Sequence, residues 1–315
     1  MKTDQRLIDI DDENRHDDRP VEVPVFSIES SGTTADKTAS ESIGQHIKKL
    51  PYIISIVSAL ALSLCVAWIL ANRHWGQLID TESSVSDKEN IVRLRQDYRA
   101  VAKGTEMTSD SVFGVAFDMY SIEGLKASLE REFPDTTDGS LVLFMRSSDY
   151  HPDKSWIGDV VIDGVRHKDK EKNRAAYVAI SQSGYPVIGI SINDDVIGHV
   201  EKYGGHFFRQ FVLLGNGELP SKFSLHGKVE RAAIGRKEDG KLYYIMTRHR
   251  ETMYDFADAL REYGFMDAVY ITGGNSYSFY RDKQGAAHVT DKVREKYSEY
   301  KDSTPPAPLL VFRNK

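Results

Sequence analysis

The sequence predicts an α/β (α+β) protein: a mixed sheet with flanking helices, preceded by a single transmembrane helix. Three observations predict it. Short runs rich in β-branched and aromatic residues, separated by glycine-containing turns, recur through the C-terminal two-thirds of the chain. ETMYDFADALREYGF repeats its apolar residues at helical spacing. PYIISIVSALALSLCVAWILAN, residues 51–72, carries no charge from Tyr52 to Ala71.

The elements follow in order. Residues 1–48 include DIDDENRHDDRP and SSGTTADKTASES, polar stretches without aromatics or periodicity, and predict a disordered tail. Residues 49–73 hold the apolar run. At 1.5 Å per residue it is about 30 Å long, one hydrocarbon core. It starts too far into the chain, and is too long, for a cleaved signal peptide. Lys48 and Lys49 abut its N-terminal end, whereas Arg73 stands alone at the other. This asymmetry predicts a single-pass anchor in the lipid bilayer, with the N-terminus cytoplasmic and the C-terminal domain extracytoplasmic. Cys65, the only cysteine, lies within the run, so the exported part can form no internal disulfide.

Residues 74–105 predict a juxtamembrane helical stalk. Ile91, Leu94, Tyr98 and Val101 step by three, four and three along one face, and Gly104 is a stop signal. Two readings of that stripe stand: it packs on the following domain, or it pairs with a second copy as a homodimer.

Residues 106–315 form the globular part. GVAFDMY and SLVLFMR predict strands, with a helix over IEGLKASLEREF between them. AAYVAISQ and YPVIGISIN predict a strand pair turning at Ser183-Gly184. RAAIGRKEDGKLYYIMT predicts another, turning through Glu238-Asp239-Gly240. In the next helix Met253, Phe256, Ala257 and Leu260 share a face, Thr252 caps the start, and Gly264 caps the end. AVYI returns to strand, runs into Thr272-Gly273-Gly274-Asn275-Ser276, and is followed by further strand; LLVF is the last strand.

The net charge of −6, with no long basic run, predicts no nucleic-acid partner. No GxxxxGK[ST], strand-linked GxGxxG, HExxH or Cys/His cluster occurs, so no cofactor and no metal are predicted. Gly274-Asn275-Ser276-Tyr277-Ser278 misses GxSxG at its last position and precedes a strand, not the helix that a nucleophile elbow requires.

What remains is an ordered set: ISINDDVIG at 190–198, YGGHFFRQFVLLGNGEL at 203–219, ERAAIGRKEDGKLYYIMT at 230–247, the capped helix, then AVYITGGNS. In this order the sequence resembles the phosphodiester glycosidase family over roughly residues 112–315. That family shows an Ile-Asn-Gly-Asp or Asn-Gly-Gly-Phe loop, an Arg-Thr-Ala-Ile-Gly strand, an amphipathic helix ending in Leu-Gly, and Asp-Gly-Gly-Gly-Ser. Asn193 and Asp195 fall on the first loop, Arg231, Ile234 and Gly235 on the second motif, and Gly273, Gly274 and Ser276 on the last. The chain departs from the pattern at Asp194 for Gly, Ala232 for Thr, Arg248-His249 for Asp-Gly, and Asn275 for the third Gly. Thr272 stands where the family has an acid, and a hydroxyl cannot carry a carboxylate's charge.

The resemblance implies a membrane-anchored glycosidase acting on a sugar-1-phosphodiester or an envelope or exopolysaccharide glycan. Asp194 and Asp195 would be its carboxylates and Arg231 its anion-binding fork. Asn193, Thr272, Gly273, Gly274, Asn275 and Ser276 would contact the glycan or sugar-phosphate ligand, with Tyr270, Tyr277, Phe279 and Tyr280 available to stack on sugars. The alternative is a non-catalytic glycan-binding or structural envelope protein that keeps the fold. Read from the residues alone, Asp194-Asp195 is a solvated turn and Arg231 a surface ion-pair partner.

Overall fold

The computed structural model describes residue 55 and residues 57–67, 80–169, 174–223, 225–271, 279–289 and 307–315. The chain divides into two units, residues 1–64 and 65–315. Residues 57–67 are helical and exposed, including Val57, Leu60, Leu62 and Leu64. Among the described residues no helix is long and apolar enough to cross a membrane. The predicted span lies partly outside those residues, and the tail lies wholly outside them.

The second unit is mostly strand. Its first sheet runs in the order β1 (Met107–Val112), β2 (Val115–Ser121), β12 (Leu242–Thr247), β11 (Ala232–Lys237), β13 (Phe265–Ile271) and β10 (Val212–Leu214). The second runs β15 (Ala287–Val289), β14 (Phe279–Arg281), β4 (Leu141–Arg146), β16 (Leu309–Arg313) and β3 (Lys126–Glu130). The third runs β6 (Val165–His167), β5 (Val160–Ile162), β9 (His206–Gln210), β7 (Ala176–Ile180) and β8 (Pro186–Ile190).

The α+β class holds, with a correction to the pairing. All ladders between these strands are antiparallel, and among the described residues parallel pairing is confined to an isolated bridge between Thr105 and Asp282. The β12-to-β13 crossover places β13 beside β11, the first strand of the preceding hairpin, and therefore antiparallel to it.

Each sheet buries apolar side chains that alternate along its strands. Tyr120, Leu125, Leu129, Val142, Val178, Phe208, Ile234, Val269 and Leu310 join all three sheets in one core. Helix α3 (Met253–Glu262) covers the other face of the first sheet, where Met253, Phe256 and Leu260 meet Phe117, Ile245 and Phe265. Its caps are as predicted: Asp255 donates its N–H to Thr252 Oγ1 at 3.0 Å, and Gly264 takes the left-handed φ of 90°. Helices α1 (Asp87–Leu94) and α2 (Asp195–Tyr203) cover the third sheet, through Leu94, Val196, Ile197 and Val200.

Two expected helices differ. IEGLKASLEREF holds strand β3, not a helix, because Ala127 and Leu129 are buried while Lys126, Ser128 and Glu130 are only partly so, a period of two. The stalk helix ends at Leu94, so Tyr98 and Val101 fall beyond it. Tyr98 packs on Tyr185 at 4.8 Å between ring centroids, and Val101 is exposed. Helix α1 sits on the domain: Asn90 Nδ2 donates to Tyr177 Oη at 2.9 Å and to the Ile188 carbonyl at 3.0 Å. The segment before it is tied down by Asp267, whose carboxylate accepts from the backbone N–H and hydroxyl of Ser84 and pairs with buried Arg236.

Candidate active site

One end of the sheets gathers the residues of interest. Ala232 pairs with Ile271, so Arg231 stands where β13 leaves the first sheet. Ala176 pairs with both Gln210 and Ile190, which brings the end of β9 and the segment after β8 to the same place in the third sheet. The Tyr270 N–H donates to the Phe211 carbonyl at 3.0 Å and joins the two sheets there. In the second sheet Phe279 pairs with Phe144, so β14 runs beside β4.

Arg231 is 2% exposed. Its Nε donates to the Glu251 carbonyl at 3.1 Å and an Nη to the Gly227 carbonyl at 2.8 Å, while the guanidinium lies over the Tyr270 ring at 5.8 Å. Among the described residues no carboxylate lies within ion-pair distance of it. A buried cation without a counter-charge is costly unless an anion joins it. The surface ion-pair reading of Arg231 is therefore corrected: the side chain is buried and meets carbonyls.

Tyr270 continues the row. Its ring faces Phe211 at 6.4 Å, and Arg174 lies over Phe211 at 4.6 Å. Arg174 reaches Asp169 at 3.7 Å, and Asp169 also holds His151 Nε2 at 3.0 Å and the Gly158 N–H at 2.7 Å. Gly158 has φ 85°, and a Cβ there would stand 2.4 Å from the Arg209 carbonyl oxygen, so only glycine allows the two segments to close. The Asp169 N–H donates to Asp159 Oδ1 at 3.0 Å.

Asp159 belongs to an arginine–carboxylate group. Arg166 bridges Asp159 and Asp194, reaching the latter at 3.0 Å. Arg209 donates to the Ser191 carbonyl, to the Asn193 carbonyl at 2.6 Å and to Asp194 at 3.5 Å. Burial works against the charge of both arginines. For Arg166 the bonds to Asp194 and Asp159 outweigh it and raise the pKa, whereas for Arg209 burial prevails and lowers it, with Asp159 and Asp194 opposing.

The expected site residues are thus distributed as follows. Asp194 is the N-cap residue of α2 and its side chain is 63% exposed, as a solvated turn would be, and it also pairs with Arg166 and Arg209. Asp195 begins α2, exposed, where the positive end of the helix dipole favours a negative charge. Asn193 contributes its carbonyl to Arg209. Thr272, Gly273, Gly274, Asn275, Ser276 and Tyr277 lie outside the described residues. Of the expected sugar-stacking aromatics, Phe279 is core and Tyr280 stacks on His288 at 4.5 Å. Asp159, Arg166, Asp169, Arg174, Arg209 and His151 were missed, since they share no short motif. Their one signal is density, five aspartates and one arginine from Asp149 to Asp169.

Buried polar atoms in this region without a hydrogen-bond partner among the described residues include Ser148 Oγ, just beyond β4, and Arg166 Nε. Buried groups of this kind are rare and call for a ligand or water. No group of His, Cys, Asp and Glu suited to a metal ion occurs among the described residues.

A family model described as phosphodiester glycosidase matches residues 142–302. Among solved structures, the chain is similar to the zebrafish N-acetylglucosamine-1-phosphodiester alpha-N-acetylglucosaminidase catalytic domain auto-inhibited by its pro-peptide. The identity is 14% and the TM-score 0.46, over 75% of this chain and 96% of that one. It is also similar to a hypothetical protein from Synechocystis, with 10% identity and a TM-score of 0.39, over 66% of this chain and 62% of that one. No curated protein matches in the sequence comparison.

Proposed function

This chain belongs to the phosphodiester glycosidase family, and we propose that it hydrolyses the glycosidic bond of a sugar-1-phosphodiester in an envelope glycan, at the end of β13. Buried Arg231 carries this reading, because a guanidinium without a carboxylate partner among the described residues fits the phosphodiester anion. Under this reading Asp194 and Asp195, at the start of α2 beside the third sheet, supply the carboxylates. The chain acts from the membrane, held by residues 49–73 with its C-terminal domain extracytoplasmic. The charge-free run and the lysines before it support that placement.

The test uses full-length protein in detergent with an aryl sugar-1-phosphodiester and the matching neutral aryl glycoside. The phosphodiester should be hydrolysed in preference. Arg231→Gln should lower that kcat/KM about 10- to 100-fold, the worth of a charge-assisted hydrogen bond of about 1.5–3 kcal/mol, with little change for the neutral glycoside. Equal hydrolysis of both substrates by wild type would contradict phosphodiester recognition.

Thr272 favours a second reading, a glycan-binding protein that has lost its acid. Under it wild type binds the phosphodiester without turnover, and Thr272→Asp introduces activity.

A further inference from the structure

The family's acid is missing at Thr272, yet the domain holds a base–carboxylate pair linked to Arg231. His151 Nε2 lies 3.0 Å from Asp169 Oδ1. The Asp169 side chain is 2% exposed and His151 21%, so the carboxylate is sealed while the imidazole reaches solvent. Asp169 is fixed by the Gly158 N–H at 2.7 Å and by Arg174 at 3.7 Å. The His151 backbone is fixed in turn: its N–H donates to the Ser155 carbonyl, and its carbonyl accepts from Lys154, both at 2.8 Å. Through Arg174, Phe211 and Tyr270 the pair connects by direct contacts to Arg231. Buried Ser148 Oγ, without a partner among the described residues, lies three positions before the histidine.

We propose that His151 is the general base of the hydrolysis and Asp169 its positioning residue; this rests on the glycosidase reading above. With Nε2–H donated to Asp169, Nδ1 keeps its lone pair. It takes a proton from water as the water oxygen bonds to the anomeric carbon. The bond from that carbon to the phosphate oxygen breaks, and its electron pair leaves with the phosphomonoester. Asp169 stabilises the imidazolium, which then releases its proton to solvent. A phosphomonoester is a good leaving group, so activation of water is the step that most needs a side chain. Thr272 is therefore tolerable.

The test is kinetic, on the full-length protein with the aryl sugar-1-phosphodiester. His151→Ala, whose fold is checked by its melting curve, should lose about 10²- to 10⁴-fold in kcat, the usual worth of general base catalysis. Azide needs no deprotonation, so it should restore turnover in this variant and yield the glycosyl azide. The double variant His151→Ala/Asp169→Asn should be no slower than His151→Ala, because the two act as one unit. Wild-type turnover with His151→Ala unimpaired, or impaired without azide rescue, overturns the base while leaving the glycosidase reading intact. Absence of wild-type turnover overturns both.

Discussion

Arg231 and Arg236 lie five positions apart on one hairpin arm, both buried, and their surroundings assign them different work. Arg236 is neutralised by Asp267, which also collects the Ser84 N–H and hydroxyl and the Asn216 N–H. That pair is structural. Asp267→Ala should cost about 3–5 kcal/mol, since it leaves a buried guanidinium unpaired. Urea unfolding measures it, and a loss under about 1 kcal/mol would contradict the pairing. Among the described residues Arg231 meets carbonyls and the Tyr270 ring but no carboxylate, which is why the binding role falls to it. His206 gives a pH prediction. Burial depresses its pKa, with Asp163 and Glu130 opposing, and its Nδ1 accepts the Asp163 N–H at 3.3 Å. The unfolded chain then binds the proton first as pH falls. The stability due to neutral His206 is present above the unfolded value of about 6.5 and is lost below it. His206→Gln should flatten the stability curve as pH falls below about 6.5; an unchanged slope would contradict this account.

Elements with strong local chemistry were legible in the sequence. The β11–β12 hairpin turns at Glu238-Asp239-Gly240, and helix α3 carries both caps read from Thr252 and Gly264. Thr252→Ala should cost about 0.5–2 kcal/mol, seen as a lower urea midpoint with an unchanged slope. Elements decided by tertiary contact were not legible. In IEGLKASLEREF the i, i+4 spacing of Leu125 and Leu129 imitates a helix, and only the pairing of β3 with β16 reveals the strand. Helix α2 hid behind Asn193-Asp194-Asp195, a turn-like start, and behind Gly198 inside it. The β5–β6 hairpin hid because its strands are three residues each. The site was legible in the same measure. Asn193, Asp194 and Arg231 sit in ordered motifs, whereas Asp169 and His151 meet only through folding.

At the scale of the whole molecule, the chain combines a charge-free apolar run with a three-sheet domain of the phosphodiester glycosidase family. The charge asymmetry about residues 49–73 predicts that a C-terminal alkaline phosphatase fusion is active and a C-terminal fluorescent fusion dark; the reverse pair would contradict the orientation. The central claim concerns which bond of the substrate breaks. A glycosidase places water's oxygen on the anomeric carbon, whereas a phosphodiesterase places it on phosphorus. Hydrolysis of a sugar-1-phosphodiester in ¹⁸O-labelled water, read by mass spectrometry, separates the two. The account predicts label in the free sugar and an unlabelled phosphomonoester; label in the phosphate would contradict it.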